Sequence, residues 1–192
     1  LDEVVGQRHI LAQGKPLYNI ISRGKIPNMI FYGPSGVGKT TVANIIAQKT
    51  SMSLYRLNGT QASTSDIKDV VANLGTFGAA GGILLFLDEI QYLNKKQQQT
   101  LLEYIESGEI PLIGATTENP YFYVYSAVLS RCTVFEFKQV TAEDILPAVE
   151  RAFRLMGEEM HTQFTHEEGV VSRIAYGCGG EGRTAATTVE LC

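Results

Sequence analysis

Ile30-Phe31-Tyr32-Gly33-Pro34-Ser35-Gly36-Val37-Gly38-Lys39-Thr40-Thr41 is the stretch that decides how the rest of the chain is read. An apolar run feeds a glycine-rich turn, and Gly33 to Thr40 fits G-x-x-x-x-G-K-[ST] at every fixed position. Small residues let successive backbone N–H groups close around a phosphate, where a side chain facing the anion would block them. Lys39 would bring a point charge to the outer phosphates, and the Thr40 hydroxyl would complete a magnesium shell. A glycine turn with nothing bound satisfies the same pattern. The context favours nucleotide binding: Met29 to Tyr32 reads as a strand before the turn, and Val42, Ile45 and Ile46 follow at helix spacing.

Outward from this loop, strand and helix patterns alternate. Upstream, Leu1 to His9 is a short acidic-to-polar lead, and Pro16, Leu17, Ile20 and Ile21 predict a helix ending near Gly24. Downstream, a helix from Thr40 to about Lys49 precedes a candidate strand at Leu54–Leu57. Ile67, Val70, Val71 and Leu74 predict a helix over 66–74, and Gly75 to Gly82 reads as a surface connection because it lacks a G-K-[ST] ending. Ile83-Leu84-Leu85-Phe86-Leu87 is an unbroken apolar run of the kind buried on both faces of a parallel sheet. A helix from about Lys95 to Ile105, a strand at Ile110–Ala115 and a last strand at Val134–Phe137 complete an α/β three-layer sandwich with a mostly parallel sheet. From Thr141 the pattern turns helical, with Ile145, Val149, Ala152, Phe153 and Met156 in one stripe and Val170, Val171 and Ile174 in another. Residues 1–138 are therefore expected to form the nucleotide-binding domain, and 139–192 a small, incomplete helical domain.

Asp88 and Glu89 end the Ile83–Leu87 strand, and in a parallel sheet the C-terminal strand ends line the ligand crevice. Asp88 is expected to bind magnesium and Glu89 to polarise an attacking water. Two acids after a strand also make a solvated turn or a helix cap, a reading that loses weight beside the upstream loop. Asn119 follows the next strand, where its amide suits the same water or the outer phosphate; before Pro120 it equally suits a turn. Arg131, before the last strand, fits the charge developing on a transferring phosphoryl group, contributed by a neighbouring subunit, or a plain surface ion pair. Arg183 stands in the same position within the terminal region.

Bulk properties exclude little. The 192 residues carry a formal net charge of −4 with 44% hydrophobic and 19% charged residues, so no overall basic footprint announces nucleic acid, although a local patch or an oligomeric channel is compatible with DNA. Three widely spaced cysteines, Cys132, Cys178 and Cys192, form neither a zinc signature nor a complete disulfide framework, which suggests a reducing intracellular setting. The apolar run at Ile83 is too short to cross a bilayer and no basic-then-apolar leader opens the chain, so no membrane partner is expected. The abrupt ends at Leu1 and Cys192 suggest a piece of a longer protein.

Six segments in order, LDEVVGQRHI at 1–10, GPSGVGKTT at 33–41, ILLFLDEIQYLNKKQQQTLL at 83–102, LIGATTENP at 112–120, SAVLSRC at 126–132 and GEGR at 180–183, resemble the N-terminal part of AAA+ ATPases. Within them the likeness is to the RarA/MgsA group, whose eukaryotic relatives are Werner-helicase-interacting proteins and which is related to clamp-loader subunits. The resemblance implies a P-loop NTPase fold followed by a partial all-helical lid, with the family's C-terminal oligomerisation region absent. It puts Gly33, Pro34, Ser35, Gly36, Val37, Gly38, Lys39, Thr40 and Thr41 on Walker A and Asp88 and Glu89 on Walker B. Thr40 and Asp88 would be the metal ligands, Asn119 sensor 1, Arg131 the trans-acting arginine finger and Arg183 the sensor 2 arginine, with Val4 and Val5 opening the adenine pocket. Where the family commonly continues sensor 2 with a second arginine and a leucine-rich helix, this chain has Arg183-Thr184-Ala185-Ala186-Thr187-Thr188.

By resemblance, then, the protein is expected to be a homo-oligomeric, DNA-dependent ATPase using ATP and Mg2+ in replication-fork maintenance and recombination-associated repair. Its partners would be single-stranded or forked DNA and single-strand-binding protein, in the cytoplasm at the nucleoid. A clamp-loader-type subunit and a low-turnover, ATP-gated scaffold are the alternative readings; a metabolic kinase is disfavoured, since no small-substrate pocket motif is visible.

Overall fold

Apolar segments short enough to be strands, separated by amphipathic helices, leave one efficient way to bury both sheet faces: parallel strands with helices above and below. The computed structural model, which describes residues 4–72, 82–108, 110–159 and 169–177, has this architecture. Its strands are β1 (Met29–Tyr32), β2 (Ser53–Asn58), β3 (Ile83–Asp88), β4 (Leu112–Thr116) and β5 (Thr133–Glu136). They form one five-stranded sheet in the order β2-β3-β4-β1-β5, and every pairing is parallel. The helices are α1 (Arg8–Leu11), α2 (Pro16–Arg23), α3 (Lys39–Thr50), α4 (Thr64–Ala72), α5 (Lys95–Ser107), α6 (Pro120–Tyr123), α7 (Ser126–Leu129), α8 (Ala142–Glu159) and α9 (Val170–Gly177), with a 3-10 turn at Ile90–Tyr92.

Strand side chains alternate between faces, and the two apolar layers sort accordingly. Met29, Phe31, Leu84 and Phe86 pack with Leu17 and Ile21 of α2, Val42 and Ile46 of α3, and Ile145 and Val149 of α8. Ile30, Ile83, Leu85 and Leu87 face the other way, onto Ile67 and Val70 of α4, Leu101 and Ile105 of α5 and Val128 of α7. The stripes of α8 and α9 thus join the same apolar layer as α2 and α3, with Val171, Ile174 and Ala175 buried there.

Boundaries move where hydrogen bonds, rather than hydropathy, decide them. Strand β4 begins at Leu112 although Ile110 is buried, because Pro111 has no N–H to give the ladder; its carbonyl accepts from Leu85 N. The acidic Asp88 is the last strand residue, paired with Asn58. The lead segment contains helix α1, with Ile10 and Leu11 buried. Helix α5 starts in a capping box between Asn94 and Gln97, and Thr141 and Asp144 bond reciprocally at the start of α8. Leu74, Gly75–Gly81, Cys178, Arg183 with its GEGR segment and Cys192 lie outside the described residues. Among the described residues no helix is long and apolar enough to cross a membrane.

Candidate active site

In this strand order β4 separates β1 from β3, so the turn after Tyr32 and the acids at the end of β3 share one sheet edge, two strand spacings or about 10 Å apart. Gly33 N donates to Thr116 O at 3.2 Å, tying the loop's first residue to the strand between them. Gly33 has φ 147°, and a Cβ there would overlap the Phe137 carbonyl, so no other residue fits. Gly36 (φ 76°) and Gly38 (φ 96°) also take positive φ. Gly38 is the N-cap of α3 and contributes no capping side chain, so the first-turn N–H groups and the positive end of the helix dipole face the loop's concavity.

Lys39, the first residue of α3, is only 8% exposed. Its Nζ donates to Gly33 O at 2.6 Å and Pro34 O at 2.7 Å. Burial pushes its ammonium below the usual lysine range, while Glu89 and then Asp88 pull it back up. Lys39 and both acids thus lie within electrostatic reach of one another at this end of the sheet. Asp88 Oδ1 accepts from Glu89 N at 3.1 Å, and Glu89 Oε2 accepts from Gln91 Nε2 at 2.6 Å. Glu89 itself sits at φ 51°, a left-handed conformation costing a non-glycine residue about 1–2 kcal/mol. Gly59 passes close beside it, where a Cβ would overlap the Glu89 carbonyl.

Thr40 is half-buried behind the loop and Thr41 is exposed. Among the described residues no group of three His, Cys, Asp or Glu side chains converges as a protein-only metal cage. The hydroxyl of Thr40 and carboxylate of Asp88 are hard oxygen donors, which suits Mg2+, an ion that takes one or two protein oxygens and completes its shell with water and phosphate. The glycine cradle and the donor set thus both fit a magnesium-bound polyphosphate.

The remaining candidates are placed differently. Val4 and Val5 line a cavity of about 270 Å³ together with Arg8, Leu11, Pro147 and Arg151, between the lead segment and α8. Asn119 is exposed and caps α6, its Oδ1 accepting from Tyr121 N at 3.0 Å, which is the turn role open to it from sequence. Arg131 precedes β5, whose first residue Thr133 pairs with Met29, the start of β1. It therefore lies at the sheet edge opposite the loop, a strand length or about 13 Å away. There it donates to Ala127 O and Ser130 Oγ and forms a 2.5 Å ion pair with Glu106 of α5.

Sequence reading missed three glutamines. Gln7 is 5% exposed, donates to Val37 O at 3.3 Å and Lys138 O at 2.7 Å, and accepts from Lys138 N at 3.0 Å, linking the loop to the cavity segment. Gln98, 4% exposed, donates to Leu93 O and accepts from Tyr125 N, joining the turn after Glu89 to the segment before α7. Gln91 holds Glu89. Gln7 and Gln98, bonded to distant backbone, leave no local pattern to find, whereas Gln91 lies two residues from its partner.

Residues 29–140 match the model of the ATPase family associated with various cellular activities (AAA). The chain is 36% identical over 192 residues to replication-associated recombination protein A of Bacillus subtilis (strain 168), covering 100% of this chain and 45% of that protein. Its namesake in Coxiella burnetii is 45% identical over 152 residues, 79% of this chain and 34% of the relative. ATPase WRNIP1 of Dictyostelium discoideum is 35% identical over 100% of this chain and 22% of its own length. This chain thus spans less than half of each of these relatives. Among solved structures, the Thermotoga maritima RuvB Holliday junction branch migration motor is similar with a TM-score of 0.77 and 27% identity, over 99% of this chain and 62% of that one.

Proposed function

The chain belongs to the AAA family of ATPases, and on that premise we propose that it is the ATPase core of a DNA-dependent, homo-oligomeric protein that hydrolyses MgATP between its subunits during replication-associated recombination. The observation that carries the reading is the buried Lys39, bonded to the Gly33 and Pro34 carbonyls of the glycine loop, beside the strand end that carries Asp88 and Glu89. Main-chain N–H groups of Gly36 to Lys39 and the Lys39 ammonium bind the phosphates, Lys39 exchanging its loop carbonyls for phosphate oxygens. Thr40 and Asp88 would hold magnesium, which neutralises charge on the outer phosphates when bound. Glu89 takes the proton from the attacking water. Arg131, at the edge away from its own loop, serves the nucleotide of an adjacent copy. Val4 and Val5 take the adenine in the cavity beside α8, Asn119 turns from its capping bond toward the outer phosphate, and residues 139–192, with Arg183, act as the lid. The DNA role is proposed from the relatives' names, replication-associated recombination protein A and a Holliday junction branch migration motor; single-strand-binding protein as a partner and a nucleoid location are proposed from the family resemblance alone.

The test is steady-state ATP hydrolysis by the full-length protein with single-stranded, forked and gapped DNA. E89Q should keep ATP binding and lose at least about 100-fold in turnover, and K39A should lose binding. R131A and E89Q subunits, each inactive alone, should regain activity when mixed. Wild-type turnover by E89Q overturns the reading.

A further inference from the structure

The backbone and the side chain of Glu89 are held by separate devices. Its backbone is held by hydrogen bonds from Gly59 N to Asp88 O (2.7 Å) and Tyr92 N to Glu89 O (3.0 Å). That leaves the carboxylate on three rotatable bonds. Gln91, two residues on in the 3-10 turn, donates from Nε2 to Oε2 at 2.6 Å. The other end of the same amide, Oε1, is buried and has no partner among the described residues. Exchanging the two ends would set an oxygen against an anion, so the carboxylate dictates the amide's orientation. A buried carbonyl without a partner is unfavourable, so the Nε2 contact must offset it.

We infer that Gln91 is a positioning residue for Glu89: its Nε2 occupies Oε2 and restrains the carboxylate in one orientation, leaving the other carboxylate oxygen of Glu89 to accept a proton from water. This rests on Glu89 being the water-activating base. A base displaced by as little as 1 Å loses on the order of 100-fold in rate, so a restraint on a flexible side chain acts on turnover and not on nucleotide binding. Gln91 touches neither water nor nucleotide in this scheme and acts through Glu89 alone.

The experiment compares Q91M, Q91E, E89Q and E89Q/Q91M in the full-length protein, reading kcat and KM for ATP, with ATP affinity and thermal midpoint measured on each. Methionine matches the length of glutamine but cannot donate, and Q91M should lower kcat about tenfold with KM within about twofold. Q91E sets a second carboxylate against the first and should lower kcat further. E89Q/Q91M should be no slower than E89Q, because nothing is left to position. The inference is overturned if Q91M and Q91E keep wild-type kcat, if the loss falls in KM, or if Q91M slows the E89Q background equally. Should E89Q itself turn over normally, the base assignment fails first and the positioning role with it. E89Q inactive beside fully active Q91M and Q91E refutes the positioning role alone.

Discussion

Replacing Gln7 by alanine should loosen the phosphate loop from its support and destabilise the whole chain. Gln7 makes two well-formed hydrogen bonds with Lys138, at 2.7 and 3.0 Å, and a longer one to Val37 O at 3.3 Å. Each ordinary bond contributes about 1 kcal/mol net, and a stranded buried partner costs a further ~1–3 kcal/mol. Lys138 is exposed, so water reaches its abandoned amide and holds that added cost low. The loss for Q7A is then about 2–3 kcal/mol. For a chain of this length it lowers the thermal midpoint by about 5–10 °C. Gln7 also sits at φ 57°, so Q7G, which relieves a left-handed backbone, should be about 1 kcal/mol less damaged than Q7A. Urea unfolding measures both, with an unchanged slope required for the comparison. ATP titration of the same proteins should show weaker binding, because the Val37 carbonyl belongs to the loop. Q7A within about 0.5 kcal/mol of wild type, or Q7G worse than Q7A, would refute this account.

Gly33→Ala should cost about 1–3 kcal/mol by overpacking against the Phe137 carbonyl and should abolish ATP binding, whereas Gly14→Ala, at φ 81° with open space around it, carries backbone strain alone; unfolding midpoints and calorimetric titration separate the two. Burial pushes the Cys132 thiol up to about 12 from 9.0. With Cys178 and Cys192 changed to serine, iodoacetamide at pH 8 should label Cys132 slowly in the folded protein and rapidly in urea, and equal rates would contradict the burial. Because its folded value lies above the unfolded one, the corresponding stability is complete below about pH 9 and is lost as pH rises toward 12, which unfolding midpoints across that range measure.

The glycine loop, the Ile83 strand and its acids were legible because each depends on local composition: glycines where φ is positive, an unbroken apolar run where both sheet faces are covered. The parallel three-layer fold followed from the alternation of such runs with helical stripes. Helix α1 was not legible, since one turn is too short to show periodicity. Asn119 shows the limit of position alone: its residue type and its proline neighbour suited two roles, and its side chain is engaged in the helix cap. Arg131 shows another, for its residue type is compatible with a surface pair and with catalysis across an interface; its place at the far sheet edge becomes visible only with the register of β5 on β1. Gln7 and Gln98 act through backbone groups elsewhere in the chain, and such bonds leave no trace in neighbouring residues.

The sheet order also sets a schedule. Strand β1 is the first made, yet its ladder partners are Ile113 to Thr116 on one side and Thr133 to Glu136 on the other. During synthesis the loop that follows β1 therefore emerges long before the two strands that brace it. Closing such distant pairings is entropically slow, and the waiting strand is an unprotected apolar edge. A nascent chain released before Phe137 carries every residue of the glycine loop and has no frame on which to bend it.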